Sequence, residues 1–479
     1  MKTKAYKKIL LTVLTLFSWI LVTSQQQADS LYSYIEIATK NNPTVLQRYY
    51  EYEAAVQKIP QVGGLPDPDI SLEVFLSPME QLGGNQLADI RLMQMFPWFG
   101  VLKSAKDEMS MMANAKYELL KDAKLQVYFD VQRSWYELHK IKQNIRISEK
   151  NIEILQTVER LAIVRFKAAP GGNGYSSSDR GQTPVTSQSS NSGSSGMNTM
   201  GNNSGNSAGI ANQAPASMQG NTMGSSTGSS GLTDVYRIQI EMNEIQNTIE
   251  QLKNQFITLA ARFNSYLNRP PDAGVTVPDT LISDNFPLSQ LALSDSALSK
   301  NPMLGMLQFE QQSLDARKQM VKQMGYPMVG FGVNYSVINK SEMSVSSMNG
   351  RDMIMPMVTA TLPIYRRKYK SMQTEADLLK SANEQTYKAI ANELNTEYYQ
   401  AMQLYQDAER RTKLYRNQQQ LASKSLDIMM KSFASSGTDL TDILRVRQQT
   451  LDYEYKQMEA IADNNISIAW LKRLMAFSQ

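Results

Sequence analysis

Two kinds of hydrophobic pattern divide the chain. Apolar residues recur at three-to-four spacing over about 101–167, and again from the segment after Tyr365 to about Ser432. No proline interrupts either run, so the spacing predicts two very long amphipathic helices. Short stretches of strict alternation predict strands with one apolar face, at about 68–76, 87–97, 327–338 and 352–363. The pattern therefore predicts a mostly α-helical chain with a small β part.

The order helix, strand pair, long helix, tip and helix occurs twice. Asn42-Pro43 opens the first copy and Asn301-Pro302 opens the second, and each is followed by a second proline 25 positions later, Pro68 and Pro327. Matched prolines in a matched order indicate an internal duplication. The predicted division is a first repeat at 25–270, a linker at 271–287 and a second repeat at 288–479.

A short turn at 433–442 joins the two long helices of the second repeat. The first repeat has a split copy of this tip, which begins at Phe166 and ends at Asp234. Residues 170–231 separate the two parts and are rich in Gly, Ser and Asn. Such a segment has too little apolar surface to order itself, so we expect a disordered insert at the first tip.

Composition excludes several classes of function. The chain has no cysteine and one histidine, His139, which excludes thiolate sites and His-pair metal sites. A net charge of +4 over 479 residues, with both signs interleaved, gives no basic stripe for nucleic acid. No nucleophile–base pair or metal cluster emerges, so we predict neither an enzyme nor a cofactor. His139 is expected at a surface or an interface.

The N-terminus has the pattern of an export signal. Lysines at positions 2 to 8 precede the apolar run Ile9–Val22, which is too short for a spanning helix. We therefore predict a signal peptide at 1–24, with an N-terminal membrane anchor as the alternative. No later run approaches the ~20 apolar residues of a membrane helix.

The predicted strand pairs need a partner for their apolar faces. A lone hairpin is barely stable, and an open sheet edge cannot lie in hydrocarbon with unpaired backbone groups. Several copies of the chain sharing one barrel would cover the faces and close the edges. The alternative is a soluble β-sandwich, or hairpins that cap a helical bundle.

Several motifs carry a family resemblance over nearly the whole mature chain except the insert. They are the two Asn-Pro openings, Pro66-Asp67-Pro68, Pro97-Trp98-Phe99-Gly100, and Phe433-x-x-x-Gly437 with Leu440-Thr441-Asp442-Ile443-Leu444. In these motifs and their order the chain resembles the TolC-type outer membrane factors of Gram-negative bacteria.

The resemblance implies a homotrimer in outer-membrane lipid that extends into the periplasm. Each protomer would give four strands to a 12-stranded β-barrel, and its coiled-coil helices to a periplasmic α-barrel with 271–287 at its equator. The function implied is an exit duct of a tripartite efflux pump, with a periplasmic adaptor and an inner-membrane transporter of the RND type. Alternatives are a type I secretion duct, a Cu/Ag efflux duct, or a periplasmic coiled-coil adaptor or scaffold.

The resemblance also implies roles for particular residues. Strand–helix junctions fall at Pro68, Pro97, Trp98, Pro327, Pro363 and Tyr365; adaptor docking at the tip falls to Phe433, Gly437, Thr438, Asp439 and Leu440. Asp442 matches an acidic position of the periplasmic gate, but the usual second acid is Arg445 here, and Asp234 with Arg237 repeats the pair. Either three copies place mixed charge around the entrance, or the residues form solvated surface pairs.

Twenty-eight methionines are many for this length. Met197, Met200, Met218 and Met223 lie in the insert, and Met353, Met355 and Met357 share one predicted strand face. Thioethers suit soft ions such as Cu(I), but methionine also fills helix interfaces adaptably. Because metal ligation needs converging sulfurs, adaptable packing is the favoured interpretation of the sequence.

Overall fold

The computed structural model describes residues 31–81, 83–168, 230–284, 300–343, 347, 349–434 and 439–476. The predicted signal peptide, and the insert up to residue 229, lie outside these residues. Helices and strands follow in the order α1 Leu31–Asn41, α2 Pro43–Gly63, β1 Asp69–Gln81, β2 Gly84–Phe96, α3 Val101–Ala168, α4 Ser230–Tyr266, α5 Pro302–Met324, β3 Met328–Asn339, β4 Met353–Thr361, α6 Arg366–Ala434 and α7 Leu440–Leu474. The mostly helical fold class with a small β part is confirmed.

The chain divides into two compact units. Met1–Glu153 together with Glu244–Gln479 forms the larger unit, and Ile154–Asn243 forms the smaller. In the smaller unit the end of α3 and the start of α4 are joined by a hydrogen bond of 2.8 Å from Gln239 Nε2 to Glu159 Oε1. All features described below belong to the larger unit unless stated.

An asparagine in each repeat joins the first helices to the end of the last helix. The Asn42 side-chain oxygen accepts the first-turn N–H of Thr44 at 2.9 Å, and its Nδ2 donates to the Tyr266 carbonyl at the end of α4, 2.8 Å away. Asn301 likewise caps α5, and its Nδ2 donates to the Leu474 carbonyl at the end of α7, 3.1 Å away. Each cap contributes about 1 kcal/mol. The Asn-Pro pairs thus join the first and last helices of their own repeats.

The two repeats also bury equivalent hydrophobic cores. In each repeat, the opening helices pack between the long helix and the end of the last helix. The first core contains Tyr34, Ala38, Leu120, Val131, Trp135, Leu138, Phe263 and Leu267, and the second contains Leu304, Leu394, Tyr398, Ala401, Ile468, Leu471 and Leu474. Burial of apolar area at these positions fixes how the helices of one repeat pack together.

One antiparallel sheet joins the repeats. Its order is β1-β2-β3-β4, so within the sheet the two repeats meet at the β2–β3 pair, with Leu92 opposite Val333. The register places apolar side chains from all four strands on one face, and they are exposed: Ile70, Leu72, Val74, Ile90, Leu92, Phe331, Val333, Tyr335, Ile354 and Val358. Period-two alternation in the sequence predicted this face.

The other face of the sheet is polar. Asp69, Ser71 and Glu73 of β1 lie opposite residues of β2 on this face, and Ser336 Oγ donates to Asp89 Oδ1 at 2.6 Å. Met353, Met355 and Met357 lie on this face too, opposite Ser336, Asn334 and Gly332. The predicted common face of these three methionines is therefore observed, and it is the polar face.

The predicted limits of three strands are corrected. β1 continues to Gln81 and β2 begins at Gly84. The two strands therefore include most of 77–86, the segment between the predicted strands that was expected to be a loop. β1 is an edge strand of the chain's own sheet, where proline is tolerated, and its register shifts between Val74 and Met79, around Pro78. β4, the other edge, is shorter than predicted at both ends, yet Pro356 pairs with Val333 without a register shift.

Candidate functional site

The strand–helix junctions of the two repeats pack on each other. The rings of Trp98 and Tyr326 stack with their centroids 5.4 Å apart. Gly100 has φ +92°, and a Cβ there would lie 2.7 Å from the Gln323 side chain, which accepts a hydrogen bond of 3.0 Å from Ser104 Oγ. Glycine is required for both the positive φ and the close approach. The turn after β2 is thus fixed against the helix that leads into β3.

The predicted junction residues all lie in the short segments between a helix and a strand. Pro68 directly precedes β1, Pro97 follows β2, Pro327 precedes β3, and Pro363 lies two positions after β4. Among the aromatic side chains of these segments, Phe99 and Tyr365 are strongly exposed. Such rings are typical of a boundary between apolar and aqueous surroundings.

The tips of the two repeats differ. Phe433 is 3% exposed, whereas its sequence counterpart Phe166, in the smaller unit, is 51% exposed. Leu440 is fully buried at the start of α7, and Asp439 precedes it as an exposed residue without a side-chain capping hydrogen bond. Gly437 and Thr438, which were also predicted for docking, lie outside the described residues. Equivalent residues of the two repeats are therefore not equally buried at the tips.

The predicted gate residues lie near the N-terminal ends of two helices, and Asp442 is in the first turn of α7. Asp442 Oδ1 and Arg445 Nη1 of α7 are 3.6 Å apart, and both side chains are largely exposed. In the smaller unit, Asp234 of α4 is half-buried and Arg237 is exposed. An exposed pair of this kind contributes well under 1 kcal/mol to folding. Within one chain, Asp442 and Arg445 form a solvated pair.

Sequence reasoning missed a polar contact between α3 and α7. Arg447 is buried and its Nε donates to Asn151 Oδ1, while Ser148 and Tyr455 share a hydrogen bond nearby. Burial lowers the pKa of the Arg447 guanidinium. A buried cation with a neutral acceptor is costly, which makes this contact sensitive to how the two helices pack.

The linker is held by side chains from two helices. Lys142 Nζ of α3 lies 2.9 Å from Asp279 Oδ1 and also donates to the Val277 carbonyl. From α7, Asn465 donates to the Ile282 carbonyl at 2.8 Å and Asn464 to the Asp284 carbonyl at 2.9 Å. These bonds satisfy backbone carbonyls that form no regular secondary structure.

His139 is buried beneath this linker rather than exposed. Burial is the main reason why its pKa is lowered, and the nearby Lys142 charge acts in the same direction. Among the described residues, no group of His, Asp and Glu side chains is arranged to hold a metal ion.

No helix in the described part of the chain has the length and apolar character needed to cross a membrane.

Comparison with known proteins identifies the fold through structure alone. No family model and no curated protein matches the sequence. The solved outer-membrane channel OprN is similar with a TM-score of 0.66 at 12% identity, covering 93% of this chain and 89% of that one. The outer membrane protein VceC from Vibrio cholerae gives 0.65 at 11%, covering 93% and 96%. The Neisseria gonorrhoeae MtrE outer membrane channel, in its open state, gives 0.65 at 11%, covering 93% and 88%.

These matches span nearly the full length of both chains, so they include the helices and the four-stranded sheet together. They agree with the resemblance carried by the Asn-Pro openings and the junction prolines. The chain has the TolC-like fold of outer-membrane channels.

Proposed function

We propose that the chain is an outer-membrane exit duct of a tripartite efflux pump. It works as a homotrimer with a periplasmic adaptor and an inner-membrane transporter of the RND type. It does no chemistry itself: it conducts solutes that the transporter expels. One observation carries the proposal, namely the exposed apolar face formed by all four strands of the sheet.

The apolar face needs a nonaqueous neighbour. Leu72, Leu92, Val333 and Ile354 come from four different strands and are all exposed on this face. Exposing so continuous an apolar surface to water is unfavourable at ~25 cal/mol per Å², and soluble monomers rarely do so. Lipid provides the matching surroundings, with the polar face turned toward an aqueous lumen.

The sheet edges require further copies of the chain. β1 and β4 are the edge strands of the four-stranded sheet, and unpaired edges cannot lie in hydrocarbon. Pairing of β4 from one protomer with β1 of the next would close the sheet. The sequence resemblance to the TolC-type factors implies closure with three protomers.

The helices supply the periplasmic part of the duct. α6 has 69 residues, which correspond to ~100 Å at 1.5 Å per residue. That length allows a tip to reach far from the membrane toward a partner. We assign docking of the adaptor to the tip around Phe433, Asp439 and Leu440, and the entrance to Asp442 with Arg445.

The proposal is tested by the membrane fraction, the oligomeric state and the conductance of the protein isolated from cells. We expect the mature chain in the outer-membrane fraction as a trimer whose gel migration changes on heating. The purified trimer should conduct ions in a planar bilayer, and crosslinking should recover an adaptor and a transporter. A soluble periplasmic monomer without conductance would refute the duct and favour a coiled-coil scaffold.

A further inference from the structure

The polar face of the sheet carries an unusual number of thioethers. Strand pairing puts six methionines from three strands on this one face: Met93, Met95, Met328, Met353, Met355 and Met357. A face turned toward water would ordinarily carry charged and hydroxyl side chains, as Asp69, Ser71 and Glu73 do on β1. The methionines therefore require an explanation beyond strand alternation.

Two glycines of β3 leave space between these methionines. Gly332 lies opposite Met93 on one side and opposite Met357 on the other. At Gly330, a Cβ would lie 2.5 Å from the Met95 sulfur, so this sulfur lies over β3, where the strand has no side chain. Because neighbouring strands are ~4.8 Å apart, methionines of β2 and β4 can reach toward each other across the glycine positions.

Core packing does not account for these side chains. Met355 is 39% exposed and Met353 is 37% exposed, so over a third of each remains open to the space above the sheet. Methionine as an adaptable filler would be enclosed by other elements. The sequence alone does not show which methionines of different strands are neighbours, whereas strand pairing places Met93 of β2 and Met357 of β4 on either side of Gly332.

We propose that this face is a binding path for a soft monovalent cation, Cu(I) or its homologue Ag(I). The inference rests on the proposed function, which makes the polar face the lining of the lumen. Neutral thioethers select soft ions, and the chain has no thiol that would compete. Several weak neighbouring sites suit conduction, because each must release the ion to the next.

Silver titration of the purified full-length protein tests this path, since Ag(I) is stable in air. In one variant Met93, Met95, Met355 and Met357 are each replaced by leucine, which keeps volume and apolar character. The matched control replaces four helical methionines by leucine: Met324, which is also 39% exposed, with Met372, Met402 and Met429. Both variants keep the same number of methionines, so silver that binds to methionines outside the sheet contributes about equally to both titrations.

We expect the sheet variant to lose Ag(I) binding measured by calorimetry, while the helical control binds as the wild type does. Equal binding by all three proteins would overturn the path. If silver binding is unchanged and only a neutral apolar solute binds the wild type better than the sheet variant, the face serves apolar solutes and the cation path is wrong.

The same proteins are examined for trimer formation and potassium conductance in bilayers. Ag(I) should block the potassium current of the wild type and of the helical control, and not that of the sheet variant. Normal conductance with no difference in silver binding or block defeats the cation path and leaves the duct intact. Absence of trimer and conductance in the wild type defeats the duct itself, whatever the silver titration gives.

Discussion

Two adjacent residues of β4 distinguish a lipid-facing sheet from a water-facing one. Val358 is on the apolar face and is 71% exposed in the single chain, and Thr359 is on the opposite face, across from Gly330. We consider Val358→Arg with Thr359→Arg as its control. Both changes add one positive charge to the same strand and replace a β-branched side chain, so they differ mainly in the face they alter.

The magnitude follows from the depth of the site. β4 has nine residues, close to the ~9–11 with which a tilted strand spans the hydrocarbon, and Val358 is one position from its middle residue, Met357. An arginine facing lipid at the midplane costs about 2–4 kcal/mol. Three distant sites in a trimer add to about 6–12 kcal/mol. If Val358 faced water, an exposed substitution would change stability by no more than ~0.5 kcal/mol.

The assay is the amount of heat-modifiable trimer in the outer membrane and the temperature at which it dissociates. Val358→Arg should remove most of the trimer or lower this temperature strongly, and Thr359→Arg should leave it near the wild-type value. Equal, small effects of both substitutions would refute the lipid-facing assignment. A larger loss with Thr359→Arg would mean that the two faces are assigned the wrong way round.

Three further predictions concern packing, pH and the gate. Gly332→Ala would place its Cβ 2.7 Å from the Leu92 carbonyl oxygen and should destabilise the trimer by about 1–3 kcal/mol. In Gly330→Ala the new Cβ meets the movable Met95 sulfur, so this change should destabilise the trimer less. Equal dissociation temperatures of the two variants would contradict this prediction. The pKa of His139 in the folded chain lies below its ordinary value near 6.5. Between these two values the unfolded chain binds more protons than the folded chain, so the stability of the fold should decrease as the pH falls through this window. Thermal unfolding of wild type and His139→Gln at several pH values measures this, and the same pH dependence in both proteins would exclude His139 as its source. Asp442→Ala should raise single-channel conductance, and unchanged conductance and ion selectivity would count against a role for Asp442 at the entrance.

Patterns local in sequence predicted the sheet faces well. Alternation at Val329–Val337 gave the side of each residue because the strand period is two and does not depend on the neighbouring strands. The same reasoning failed at Pro78, where a loop was expected, because an edge strand tolerates proline and the sequence does not show which strands are edges.

Contacts between distant helices were not predictable. The Arg447–Asn151 bond joins residues 296 positions apart, and the sequence gives no signal for how α3 and α7 align. Phe166 and Phe433 occupy equivalent positions of the two repeats, yet one is exposed and the other is buried. Burial depends on which side chains pack around a residue, and the pattern of one repeat does not contain that information.

The paired asparagines have a consequence for how the chain can be divided. Because Asn42 bonds to Tyr266 and Asn301 to Leu474, each half keeps its own ends together without the peptide link between Pro270 and Pro287. The halves meet again through Trp98 and Tyr326 and through the pairing of β2 with β3. Two separately synthesised polypeptides, cut in that link, therefore keep the bonds that join the ends of each half and the contacts through which the halves meet.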